Sequence, residues 1–237
     1  RIMLALGCIV AGAAVIIMGA GIPVEMPRVL DLLSRHEAAT YTIRVIGATP
    51  ATDCQRVFDP AAFIEEGQTL APLGRPDFLP IISSDSLATM LLRRSGGSVE
   101  GFVIEGPLAG GHNAPPRGPM KLTEDGQPIY GTRDVVNLEA MRKVGLPFWL
   151  GGACGTPEKL REALDAGADG IQVGTPFALC AESGLEPETR RALIRKALAG
   201  EAAVKTDPVA SPTGFPFKVA RLEGTLSEEA VFERRRR

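Results

Sequence analysis

Short apolar runs rich in Val, Ile, Leu and Phe recur along the chain, separated by amphipathic stretches. Phe78 to Ser83, Gly101 to Glu105, Pro147 to Leu150 and Gly170 to Val173 read as buried strands, too short for helices and bounded by turn residues. Between them, Asp85 to Arg94 reads as a helix, and Asn137 to Val144 sets Leu138, Met141 and Val144 on one helical face. Thr156 to Ala166 is a helix with strong punctuation: Thr156 can cap, Pro157 suits the first turn, Glu158 favours the positive dipole end, and Gly167 follows the last turn. Strand starts at 78, 101, 147 and 170 give intervals of 23, 46 and 23 residues, the spacing of βαβ units in a parallel sheet. The fold class is therefore α/β.

The beginning of the chain is harder to read. Ile2 to Val24 carries no charge and approaches the ~20 residues that cross a bilayer; behind Arg1 it also resembles a signal-peptide core. Gly7, Gly12, Gly19 and Gly21 interrupt it, Pro23 ends it, and Val15-Ile16-Ile17 is β-branched, which favours two buried strands at about 2 to 6 and 15 to 19. Leu6 to Val15 leaves too little chain for a crossover helix between them. Glycines follow the carboxyl ends of strand after strand, at Gly19-Ala20-Gly21, Gly106, Gly151-Gly152 and Gly174, and that regularity favours a TIM barrel over an open sheet. No Gly-x-Gly-x-x-Gly fingerprint with a following acidic residue supports a Rossmann fold. The expected organisation is one domain over 1–237, with long loops at about 47–77 and 107–136, the second rich in Gly and Pro.

Composition changes little in that picture. At 237 residues, 45% hydrophobic and 23% charged, the chain reads as globular. A net charge of −2 gives no general reason to bind nucleic acid or an anionic membrane, and Arg234 to Arg237 reads as a solvated tail. Cys8, Cys54, Cys154 and Cys180 are far apart, lack a CxxC pair and have only His36 and His112 as imidazole companions, so reduced thiols, a cytoplasmic location and no metal site are expected. Cys154 reads chiefly as a small loop hydrophobe near the active face.

Candidate chemistry concentrates at Glu105-Gly106-Pro107-Leu108-Ala109-Gly110-Gly111-His112, where a strand runs into a glycine-rich turn ending on a histidine. Glycines permit close backbone approach to a ligand, and free imidazole, with a pKa of ~6.5, suits proton handling. A tight turn followed by a surface histidine would read the same way. Gly151-Gly152 and Gly174-Thr175 end the last two strands ahead of helical sequence, an arrangement that holds a phosphate through main-chain N–H groups and the Thr175 hydroxyl. Close helix-to-strand packing is the structural alternative for either pair. His36, among Arg35 and Glu37, reads as an exposed helix end.

Val103 to His112 (VIEGPLAGGH), Pro147 to Gly152 (PFWLGG), Gln172-Val173-Gly174-Thr175 and Ser211 to Pro216 (SPTGFP), in this order and spacing, resemble the nitronate monooxygenase family, formerly called 2-nitropropane dioxygenase. The resemblance covers residues 13 to 230. It implies an FMN-dependent TIM barrel, with His112 catalytic, and Glu105, Gly110, Gly111, Gly151, Gly152, Gln172, Val173, Gly174 and Thr175 around the cofactor. It further implies oxidation of an alkyl nitronate by dioxygen to a carbonyl compound and nitrite, with His112 positioning the anion or removing the α-proton of a neutral nitroalkane. Many relatives carry Gln where this chain has Glu105, and a carboxylate donates a hydrogen bond only when protonated. The six strands read here imply that the family's first two βα units are absent; relatives carry a flavin-binding Asn just before the third strand, where this chain begins with Arg1, and continue past its Arg-rich end. An incomplete copy is the corresponding expectation. An FMN-dependent enoyl-thioester reductase using NAD(P)H resembles the same motifs, and an inactive barrel fragment is the non-enzymatic alternative.

Overall fold

The computed structural model describes residues 2–19, 21–43, 45, 47, 49, 52, 54–65 and 67–236. Arg1, Ala20, Arg237 and several positions of the 47–77 loop, all part of the readings above, lie outside the described residues. The chain divides into two compact units, Arg1–Val103 with Leu138–Phe148, and Ile104–Asn137 with Trp149–Arg237.

In the first unit the elements are α1 (Ile2–Val10), β1 (Val15–Met18), α2 (Met26–Ser34), β2 (Ala39–Thr42), β3 (Gln55–Phe58), β4 (Asp77–Ile82), α3 (Asp85–Arg94), the start of β5 (Phe102–Glu105), and α4 (Leu138–Val144). β1 and β4 pair in parallel, with Ile16 opposite Phe78 and Ile17 opposite Leu79. Leu30, Leu33, Phe78, Ile82, Leu91, Phe102, Met141 and Phe148 are all fully buried and make the core. Ser84 caps α3 by accepting the Leu87 N–H at 3.2 Å. The Arg75 guanidinium binds the carboxylates of Asp31 and Glu100, and Glu100 also accepts the Phe78 N–H at 2.8 Å, fastening the chain just ahead of β4 to α2 and to the start of β5. Gly97 is required here: a Cβ would stand 2.6 Å from the Arg28 nitrogen.

The run read as a strand at 2 to 6 is a helix. Ala5 and Ile9, four residues apart, are buried while Met3, Leu4 and Val10 are exposed. Ala11, Gly12 and Ala13 close the helix through bonds to Gly7, Ile9 and Cys8 carbonyls, with Gly12 at φ +70°. The gap before Val15 that is too short for a crossover is thus a helix end. The remaining five strand expectations hold to within about a residue at their starts, but β1 is not buried, with Val15 and Ile17 exposed, and the helices at 85–94, 137–144 and 156–166 are α3, α4 and α5 (Pro157–Asp165).

The second unit takes up the end of β5, then β6 (Phe148–Gly151) from Trp149 onward, α5, β7 (Gly170–Gln172), α6 (Thr175–Ala178), α7 (Pro187–Leu198), β8 (Val204–Asp207), β9 (Phe217–Ala220) and α8 (Glu229–Arg236). β6 and β7 are parallel, Gly151 opposite Gln172. The sheet order is β1-β4-β5-β6-β7, the α/β architecture expected; the antiparallel pairs β2–β3 and β8–β9 were not. Arg234 and Arg236, read as tail, belong to α8. The connection over 107–136 is held by its own polar groups: the Asp134 carboxylate accepts the Arg117 and Gly131 N–H groups, Arg133 donates to the Arg117 carbonyl and Tyr130 to the Ala114 carbonyl. Among the described residues, no helix is long and apolar enough to cross a membrane and no cluster of His, Cys, Asp and Glu could hold a metal ion.

Candidate active site

Every residue singled out from the sequence as catalytic or cofactor-binding falls in the second unit. Glu105, Gly151 and Gln172 are the last residues of β5, β6 and β7, so they stand at the carboxyl ends of three strands. Gly151 leaves the room between the other two: a Cβ on it would lie 3.1 Å from Gln172 Oε1 and 3.2 Å from Glu105 Cγ. Burial pushes the half-buried Glu105 carboxyl above its ordinary range, which favours the protonated, hydrogen-bond-donating form. Gln172 Oε1 is buried with no hydrogen-bond partner among the described residues. A buried acceptor left without a protein partner is costly, so this atom is free to take a water or a ligand N–H.

The next residue, Gly152, has φ +100° and lies against the turn that follows β5; a Cβ would meet Ala109 N at 2.7 Å and Leu108 C at 3.2 Å. That turn closes with the Ala109 N–H donating to Gly106 O at 3.0 Å, and Asn113 Nδ2 donates to Ala109 O at 3.1 Å. Gly110 and Gly111 follow, with open space where a Cβ would stand and Gly111 at φ +75°. The same open space borders Gly106 and Gly174. Val173 packs beneath Gly155, and Gly174 and Thr175, both exposed, begin α6 with no side-chain cap on its amides. Thr156 caps α5 as the sequence indicates, accepting the Lys159 N–H at 3.2 Å.

His112 is exposed, yet its ring is held. Nε2 lies 2.7 Å from Ser211 Oγ, and Phe217 meets the ring edge-on at 4.7 Å between centroids. The backbone contributes too: His112 and Phe217 form an antiparallel bridge, the Asn113 N–H donates to Pro216 O and the Lys218 N–H to Gly111 O. Ser211 Oγ is 2.7 Å from Thr213 Oγ1 and accepts the Thr213 N–H at 3.3 Å. Ser211, Thr213 and Phe217 were not assigned a role from sequence; the SPTGFP run marked the segment, but nothing in it says that it docks on a turn a hundred residues earlier. Burial lowers the Lys218 ammonium from its ordinary range, and Lys218 Nζ donates to Thr206 Oγ1.

Two further side chains, read from the sequence as a helix end and a small loop hydrophobe, are engaged by their own surroundings. His36 sits just beyond α2 in the first unit at φ +60°, half-buried rather than exposed, and its Nε2–H donates to Ala71 O at 2.9 Å. Cys154 donates its S–H to Gly152 O at 3.2 Å, and burial raises its thiol away from the reactive thiolate form. The other cysteines are free and half-buried.

Residues 69–208, more than half of the chain, match the family described as nitronate monooxygenase. A nitronate monooxygenase of Pseudomonas aeruginosa is 35% identical over 120 residues, 51% of this chain and 32% of that protein. FabK from Thermotoga maritima superposes with a TM-score of 0.54 at 20% identity, over 93% of this chain and 50% of that one. A mutant form of the same FabK gives 0.53. The chain therefore spans about a third to a half of the length of these relatives, and the FabK likeness is one of fold. The match over residues 69–208 takes in β4 to β8 and with them the Glu105 to His112 turn, the Gly151-Gly152 pair and the Gln172 to Thr175 strand end: the chain belongs to the nitronate monooxygenase family.

Proposed function

We propose that the protein binds FMN at the carboxyl ends of β5, β6 and β7, as part of a TIM-type barrel, and oxidises alkyl nitronates with dioxygen to a carbonyl compound and nitrite. The observation that carries the reading is the convergence, within one compact unit, of a buried unpartnered acceptor on Gln172, a half-buried carboxyl on Glu105, unobstructed glycine backbone at 106, 110, 111 and 174, and a clamped imidazole at His112. These groups fit a flat heteroaromatic ring with its own N–H and carbonyl groups, and a phosphate beyond it. Gln172 Oε1 would accept from the ring, Glu105 would face it from the end of β5, and Gly151, Gly152, Val173, Gly174 and Thr175 would offer main-chain N–H groups and a hydroxyl to the phosphate. FMN, when bound, supplies the electron-accepting chemistry that no side chain here has.

His112 has the remaining role. A nitronate is an anion, and imidazole N–H donates a charge-assisted hydrogen bond to its oxygen. For a neutral nitroalkane the same ring takes the α-proton as general base, a role worth about 10²–10⁴-fold in rate. The test is a visible spectrum of the chain with added FMN, then a nitrite assay in air without NADH on the parent and on His112→Ala. Flavin binding by both and a loss of at least about 10²-fold in nitrite release by the variant support the reading. Equal nitrite release from parent and variant defeats the assignment of His112, and bleaching of bound flavin by anaerobic NADH with no nitrite formed replaces the monooxygenase with a nicotinamide-dependent reductase.

A further inference from the structure

We propose that Ser211, backed by Thr213, is the positioning residue for His112, holding Nε2 and leaving Nδ1 as the atom that faces the substrate; the last clause rests on the function proposed above. Only one ring nitrogen of His112 is engaged among the described residues: Nε2, at 2.7 Å from Ser211 Oγ. Ser211 is buried, with 9% of its surface accessible, so its hydroxyl has little water to turn to. Its bonds can be counted. Oγ has one proton and two lone pairs, and one lone pair already takes the Thr213 N–H at 3.3 Å. Two arrangements fill the remaining lone pair and proton: Nε2–H donates to Ser211 Oγ and the Ser211 proton goes to Thr213 Oγ1 at 2.7 Å, or the Thr213 hydroxyl donates to Ser211 Oγ and Ser211 donates to Nε2. Both use every valence of Ser211 Oγ, and it is the first, with the neutral ring as the Nε2–H tautomer, that leaves a lone pair on Nδ1 for the substrate.

That tautomer is the one a general base needs. The α-proton of a nitroalkane passes to Nδ1, the C–H electron pair becomes the C=N bond of the nitronate, and the charge gained by the ring is met by Nε2–H donating to Ser211 Oγ. Phe217, edge-on at 4.7 Å, and the main-chain bridge between His112 and Phe217 keep the ring from swinging off the hydroxyl. The arrangement resembles the orientation of a catalytic imidazole by a third group, with a hydroxyl pair in place of a carboxylate.

The experiment is a two-bond proton–nitrogen correlation spectrum of the full chain labelled at histidine nitrogen, with and without FMN. The chain has two histidines, so His112→Gln assigns both signals. His36, whose Nε2–H donates to a carbonyl at 2.9 Å, is an internal reference for the Nε2–H pattern. Parent His112 is expected to show the same tautomer, Ser211→Ala to move it toward the mixture of free imidazole, and Ser211→Thr to restore it, with His36 unmoved throughout. In turnover, Ser211→Ala is expected to lower kcat for a neutral nitroalkane about tenfold with KM within about twofold, because the ring is present but misplaced. A dominant Nδ1–H tautomer in the parent, or a His112 spectrum indifferent to Ser211→Ala, overturns the proposal whatever the activity. Absence of turnover by the parent, with the spectra as expected, removes the function and leaves the positioning of the ring in place.

Discussion

Two glycines and one carboxyl decide how the site is built at the scale of single residues. Gly152 combines φ +100° with a main-chain neighbour 2.7 Å from where a Cβ would stand, and neither can relax by a side-chain rotation. Gly152→Ala is therefore expected to cost about 1–3 kcal/mol of unfolding free energy in a urea titration, against a few tenths for Gly110→Ala, where the space is open. Equal costs would mean that the close approach of Gly152 to the Leu108–Ala109 backbone is absent in solution. Glu105 has a pH signature. Its folded-state carboxyl lies above the ordinary range because burial penalises the charge, so its favourable contribution is complete below about pH 4.3 and is lost as pH rises through the raised value. Glu105→Gln, similar in shape and uncharged, is expected to raise the urea midpoint at pH 7–8 and to match the parent near pH 4; the opposite trend would mean a stabilising charge at this strand end. His112, Glu105 and the glycines are legible in sequence because a strand, a glycine turn and a titratable group are contiguous there. Ser211 is not, since its contact with His112 spans 99 residues and a lone serine in a proline-containing run gives no sign of its partner.

At the scale of elements, legibility follows punctuation and periodicity. Helix α5 declares itself: Thr156 accepts the Lys159 N–H at 3.2 Å, Pro157 opens the first turn, and Gly167 at φ +87° follows the last. Thr156→Ala is expected to lower stability by about 1 kcal/mol while Thr156→Ser stays within a few tenths, measured by chemical denaturation; a loss shared by both variants would point to the methyl group instead of the cap. Helix α1 is illegible in the sequence because IMLALGCIV is apolar at nearly every position, so the four-residue spacing of buried Ala5 and Ile9 is drowned by exposed Met3, Leu4 and Val10. The hairpin strands β2, β3, β8 and β9 are four residues each with at most two buried positions apiece, a pattern too short and too weakly buried to stand out. Of these, β9 matters most to the site, because Phe217 and Lys218 are the residues that meet the His112 turn.

For the whole molecule, the division of labour between the two units makes a testable map. The large fully buried side chains, from Leu30 to Phe148, belong to the first unit, while every proposed cofactor and catalytic residue belongs to the second. A ligand stabilises what it touches in the native state: at a hundred times its dissociation constant it contributes about 2.7 kcal/mol, equivalent to slowing by roughly 100-fold the hydrogen exchange of amides that exchange only when its site opens. Added FMN is therefore expected to slow exchange in 106–112, 151–152, 172–175 and 211–218, the turns and strand ends that form the proposed cradle and the segment that clamps the ring. The β2–β3 hairpin and the amides of α2 are expected to exchange at the same rate with and without FMN. The 211–218 segment is the discriminating part of the map, because it contacts the imidazole turn through Pro216, Phe217 and Lys218 without contributing any proposed cofactor ligand. Protection there, appearing together with protection of Gly110 to His112, would tie cofactor binding to the clamp on His112; protection confined to the first unit would place the ligand elsewhere and defeat the site.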